Sequence, residues 1–165
     1  MKNKWTTFLI LLNIILLTIV TGTTISKEER YRKSENYFYL KLSPIDPRSI
    51  MQGDYMRLNY EISDKANEKY RKDESKEKKR YILIKLDDKR VGQFIDISEK
   101  PIDSDNILSI KVLNSNYSNI NANSFFFQEG KGKEYEKAKY AKVIIVNNRL
   151  RLLNLVDKNK KIIHN

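Results

Sequence analysis

The chain has 165 residues, with 32 Lys and Arg against 21 Asp and Glu and a formal net charge of +11. At 40% hydrophobic residues it can bury a small core, but it is too polar for a multi-span membrane protein. There is no Cys and the single His is His164, so disulfides, thiolate nucleophiles, iron–sulfur clusters and Cys- or His-rich metal sites are excluded. No cofactor and no metal are expected.

The first element is a membrane helix. Trp5 to Ile25 contains no charged residue, and Lys2 and Lys4 precede it. Twenty-one uncharged residues in a helix span roughly 30 Å, the thickness of a bilayer's hydrocarbon core. In lipid only a helix of this kind satisfies its own backbone. The expectation is a retained anchor over 1–25, a juxtamembrane linker over 26–36 and a β-rich domain over 37–165. A cleaved signal peptide is the alternative. The apolar run is long for one, and Thr21-Gly22-Thr23 is the nearest substitute for an Ala-x-Ala site. Lys2 and Lys4 favour a cytoplasmic N-terminus, with Lys27, Arg30, Arg32 and Lys33 competing from the other end. The predicted location is the cell inner or plasma membrane, single-pass, with the C-terminal domain extracytoplasmic.

Beyond the linker the chain turns β-like. Tyr37 to Leu42 reads as a strand, stopped by Pro44 and Pro47. From Met56 to Ile62 apolar and polar residues alternate, which predicts a half-buried strand. Residues 63–80 hold thirteen charged residues in eighteen and fit either a solvated helix or a loop. Strands are expected over 81–86, 91–97, 107–113 and 124–127, with an Asn-rich loop over 114–123. A Gly-containing turn then opens a helix of about ten residues between Gln128 and Lys139. A hairpin follows, with 141–146 and 149–156 joined by Asn147-Asn148. The tail around Lys160 to Ile163 adds a last edge. The fold class is mainly β: a transmembrane helix, then a small antiparallel β-barrel or sandwich with one short helix.

Gly53-Asp54-Tyr55-Met56-Arg57-Leu58-Asn59-Tyr60 fills every position of the pattern GDYXXLXY. The chain thereby resembles the family of uncharacterised bacterial membrane-anchored proteins named after that pattern. Asp46-Pro47-Arg48 upstream resembles the family's approach to the motif. Phe127-Gln-Glu129-Gly130-Lys-Gly132, with Glu136 after it, is similar to its second landmark. The resemblance implies an anchor of one N-terminal helix and a link to multi-span membrane proteins. It implies no activity, cofactor or substrate.

The candidate site residues follow from these stretches: Asp46, Arg48, Gly53, Asp54, Tyr55, Leu58, Tyr60, Glu129, Gly130, Gly132 and Glu136. One reading is architectural. Gly53 takes a conformation other residues avoid, Asp54 accepts N–H bonds from its turn, the tyrosines pack, and Leu58 is core. The second is a binding groove with Arg48 as an anion clamp. The third is a membrane-tethered hydrolase of signal-peptidase-like type, using Ser49 and a Lys, although its Ser-to-Gly spacing is shorter than in those peptidases. Residues 26–165 carry a net +9. That charge fits a solvated face, anionic lipid or a wall polymer, and nucleic acid is not an expected partner. The function expected is a membrane-anchored extracytoplasmic binding or accessory domain working with an integral membrane partner.

Overall fold

The computed structural model describes residues 2–43, 51–52, 55–73, 80–102, 104, 106–113, 117, 120–128 and 130–163. The chain divides into two compact units, 1–35 and 36–165.

The first unit is one helix, α1 (Lys2–Arg32). Its apolar residues are distributed all round the axis, and from Phe8 to Val20 they are exposed. A helix apolar on every side needs an apolar surrounding. From Thr18 to Ser26 its hydroxyls are satisfied within the helix. Thr18 donates to the Ile14 carbonyl (2.8 Å), Thr21 to that of Leu17 (2.8 Å), Thr24 to that of Val20 (2.8 Å) and Ser26 to that of Gly22 (2.9 Å). Helix α1 also runs on through the charged segment 27–32, which the sequence placed in a linker. Lys, Glu and Arg are good helix formers, and Arg30 and Arg32 sit in the last turn, where cations complement the helix dipole.

The second unit is sandwich-like. Its strands are β1 (Phe38–Lys41), β2 (Met51–Gln52), β3 (Tyr55–Arg57), β4 (Tyr81–Leu86), β5 (Gly92–Ser98), β6 (Leu108–Lys111), β7 (Ser124–Phe126), β8 (Tyr140–Val146) and β9 (Arg149–Val156). They form three antiparallel sheets of order β1-β8-β9, β2-β3-β7 and β5-β4-β6. No closed barrel forms among the described residues; single contacts join the sheet edges instead. Tyr39 N–H donates to the Arg90 carbonyl (2.9 Å), and Lys111 N–H donates to that of Asn148 (2.6 Å). The predicted hairpin is present. Asn147 and Asn148, at φ 51° and 60°, make the β8–β9 turn that matches strand twist. The tail adds its edge contact through the Val156–Ile162 bridge. Bulges at Leu83/Ile84 and Lys142/Val143 break strict alternation, and in β4 they accompany three consecutive buried residues, Ile82, Leu83 and Ile84.

Two segments depart from the expected pattern. The alternating run 56–62 is not one strand. β3 ends at Arg57, and α2 (Glu61–Lys72) starts inside the run. Met56, Leu58, Tyr60 and Ile62 are nonetheless all buried. Alternation carries the first three inward along extended backbone, and Ile62 then begins a helical stripe continued by buried Ala66 and half-buried Tyr70. Glu61 and Asp64 occupy the first turn of α2 and Lys69, Arg71 and Lys72 the last, so both ends suit the dipole. The charged run is thus an amphipathic helix as far as Lys72. The helix expected near residue 130 is only α3 (Gly132–Tyr135). The second unit therefore carries two helices among the described residues, where one was expected.

The core is built from Phe38 and Leu40 of β1, Ile82 and Ile84 of β4, Val143 of β8, and Leu150 and Leu155 of β9, together with three fully buried tyrosines, Tyr60, Tyr117 and Tyr135. Tyr117, from the Asn-rich segment, packs its ring 5.5 Å from that of Tyr70. Burial, with Tyr70 and Asp73 nearby, pushes its hydroxyl up to about 12. At Gly92 the sheets approach so closely that a Cβ would lie 2.8 Å from Leu40 Cδ2 and 2.9 Å from Ile84 Cδ1. Both neighbours are fully buried, so their methyl ends would have to repack within the core. Gly92→Ala is expected to destabilise the domain by about 1–3 kcal/mol, read as a lower melting temperature by circular dichroism; an unchanged melt would show that the core yields at this crossing.

Candidate functional site

The motif divides its residues between core and surface. Tyr55 lies in β3, half-buried, paired with Gln52 on one side and Phe126 on the other. Its ring is 5.8 Å from that of Phe126, which is 72% exposed, so this pair faces outward. Met56 points inward opposite Phe125. After Arg57 the chain stays extended. Leu58 N–H donates to the Asn123 carbonyl (2.8 Å), and Tyr60 bridges to Leu42. Leu58 is core, as the architectural reading requires. Tyr60 is 1% exposed, and its hydroxyl donates to the Ala122 carbonyl. Burial alone raises its ionisation far above the ordinary tyrosine range, so it is a permanent donor.

The second landmark arrives beside this strand. Gly130 takes φ 83°, a left-handed conformation that glycine adopts without strain. Buried Gly132 then opens α3, and Tyr135 at its end is buried against Phe125 (4.9 Å between ring centroids) and Phe127 (5.6 Å). Glu136 follows, exposed. Of the other predicted residues, Asp46, Arg48, Ser49, Gly53, Asp54 and Glu129 lie outside the described residues.

The two landmarks meet at a groove of about 520 Å³. Met56, Leu58 and Tyr135 supply apolar lining. Arg57, Glu136 and Lys139 contribute charge, joined by Lys41, Glu61 and Lys158 from other elements. At one end Asp64 of α2 accepts hydrogen bonds from Ser43 Oγ and from Asn59 Nδ2 (2.9 Å), tying the motif to the end of β1. Glu61 bridges Lys41 Nζ (2.8 Å) and Lys65 Nζ (2.6 Å). The hydrogen bonds from Lys41 and then Lys65 hold its carboxyl below the usual range, and the same pairing raises Lys41. Both groups are largely solvated, so the pairs orient the rim more than they stabilise the fold. An apolar lining with a mixed-charge rim suits recognition of a polypeptide segment. Among the described residues no group of three or more His, Asp or Glu side chains converges to hold a metal.

Sequence reasoning missed Tyr135, Lys41 and Glu61 as site residues. Tyr135 was visible as the aromatic three residues past Gly132. Lys41 and Glu61 carried no signal, because they meet only through packing of β1 against α2. The Tyr60 hydroxyl bond yields a direct test. Tyr60→Phe leaves the Ala122 carbonyl without its donor and is expected to lower stability by about 1–3 kcal/mol in urea unfolding, with the midpoint shifted and the slope unchanged; no shift would mean that water replaces the hydroxyl.

Comparison with known proteins places these landmarks in context. The family model described as GDYXXLXY protein matches residues 17–150, which take in the second half of α1, the motif, all of the groove lining except Lys158, and part of the final hairpin. No curated protein matches the chain. No solved structure matches it either. The match covers well over half the sequence, and the chain belongs to the GDYXXLXY family.

Proposed function

We propose that this protein is a single-pass membrane protein whose residues 36–165 form an extracytoplasmic binding or accessory domain, working with an integral membrane partner. The observation that carries the reading is α1. It holds twenty-two consecutive uncharged residues, Trp5 to Ser26, in one uninterrupted helix, long and apolar enough to cross a bilayer, with exposed apolar side chains. Its Thr and Ser hydroxyls bond back to carbonyls one turn earlier, which removes the penalty they would otherwise carry in hydrocarbon.

The groove supports binding as the role of the domain. Motif residues and the second landmark build its lining and rim together, so a partner placed there touches the parts of the chain that define the family. Lys2 and Lys4 set the N-terminus inside, against the pull of Lys27, Arg30, Arg32 and Lys33. The net +9 of residues 26–165 suits contact with anionic lipid or a wall polymer at the outer face.

Right-side-out membrane vesicles containing the full chain test both parts. The protein is expected to stay in the pellet through alkaline carbonate extraction, and protease added outside is expected to digest residues 36–165. Release by carbonate would remove the anchor. A domain that is protected until detergent is added would place it on the cytoplasmic side.

A further inference from the structure

Beside the motif groove lies a second cleft of about 410 Å³, lined by five lysines and two carboxylates. We propose that this cleft binds a ligand carrying several phosphate groups. The idea rests on reading residues 36–165 as a binding domain, but not on the side of the membrane that the domain occupies.

The lysines come from four separate parts of the chain: Lys41 from β1, Lys65 from α2, Lys89 from the β4–β5 turn, and Lys158 and Lys160 from the turn after β9. Both carboxylates are already engaged. Glu61 holds Lys41 and Lys65. Asp87 folds into its own turn, where Oδ1 accepts the N–H groups of Lys89 (2.9 Å) and Val91 (2.8 Å), and Oδ2 accepts Gln93 Nε2 (3.3 Å). Among the described residues neither Lys89 nor Lys158 forms an ion pair with a carboxylate. Five lysines against two carboxylates give the lining of this cleft a formal surplus of three positive charges.

The walls that carry these lysines are a matched pair of turns. In the first, Asp87 caps the N–H groups of Lys89 and Val91, and Arg90 takes φ 58°. In the second, Asp157 caps those of Asn159 (2.8 Å) and Lys161 (2.9 Å), and Lys160 takes φ 62°. Lys160 Nζ donates to the Lys89 carbonyl and locks one turn to the other. At the left-handed position of each turn glycine is the relaxed residue, yet both turns place a cation there. Each of those cations lies over an aromatic ring of β1 or its approach: Arg90 is 4.8 Å from the Tyr37 centroid and Lys160 is 4.6 Å from that of Tyr39. Lys142 adds a third, 3.8 Å from Tyr37. The Arg90 and Lys160 contacts brace the two turns against β1 and its approach.

Like charges lining one cleft repel, and a multivalent anion relieves that repulsion. Phosphate is the chemistry that fits. Ammonium groups act as point-charge donors to its several acceptor oxygens, and they lack the planar fork that would favour a single carboxylate. The volume admits a few linked phosphate groups.

The test uses the full chain in phosphatidylcholine nanodiscs, titrated calorimetrically with sodium tripolyphosphate. Binding is expected, weakened by roughly tenfold or more in the double variant Lys89→Gln/Lys158→Gln. The control Lys133→Gln/Lys137→Gln removes the same charge outside the cleft and is expected to change affinity by less than about twofold. Repeating the titration in phosphatidylglycerol discs, against the cleft variant in the same discs, separates the sources. Affinity lost through competition assigns the cleft to lipid headgroups; affinity retained assigns it to phosphate of a soluble or wall-borne chain. Absence of binding at millimolar tripolyphosphate, or equal weakening in both double variants, overturns the proposal and leaves the vesicle protease result intact.

Discussion

The second unit turns on the fully buried phenol of Tyr60 and its need for an acceptor. A hydroxyl removed from water requires a partner, and here the partner is the carbonyl of Ala122, far along the chain. Ala122 adopts φ 79°, a conformation that L-residues avoid. The next residue, Asn123, accepts the N–H of Leu58, and Ser124 then begins β7, which pairs with β3. The second half of the family motif is thus zipped to the 122–126 segment by side chain, backbone and strand in succession. At Glu61, immediately after Tyr60, the chain enters α2. The buried Tyr60 hydroxyl thus sits where the extended motif gives way to α2 and where the segment leading into β7 lies alongside it.

From this join come the two concavities. The groove forms because β3 carries the motif past α3, where Tyr135 closes on Phe125 and Phe127. The lysine cleft forms because α2 leaves the end of the motif and brings Glu61 and Lys65 next to β1 and the β4–β5 turn. Lys41, Glu61, Tyr140 and Lys158 border both. The shared Lys41–Glu61 pair places a solvated ion pair between the motif groove and the lysine cleft.

Much of the fold was legible. The Asn-Asn hairpin, the β-rich strands from Tyr81 onward and the buried inner face of Met56, Leu58 and Tyr60 all follow from period-two patterning and turn chemistry. The motif itself, with its Gly-Asp-Tyr opening, was sufficient to point to the family. The charged run 63–80 was harder to read. Its apolar stripe of Ile62, Ala66 and Tyr70 is sparse, and Ile62 also completes the strand pattern before it. Two periods overlap at one residue, and local sequence cannot decide between them. Tyr117 was hidden for a similar reason. It is one aromatic in an Asn-rich segment, and only the surface of α2 that receives its ring makes it core.

What the chain's composition and order determined unaided was the long apolar N-terminal helix, the β-rich character of the domain, the final hairpin and membership of the family. Each depends on neighbours in sequence: a run of apolar residues long enough for a bilayer, alternation along a strand, a pair of residues tolerant of positive φ. Only tertiary packing decided the choice of sandwich over barrel, the entry into α2 at Glu61, and the meeting of five lysines in one cleft. Those features depend on which distant segments share a surface. Charge, unlike apolar periodicity, leaves no mark in the sequence of where it will converge.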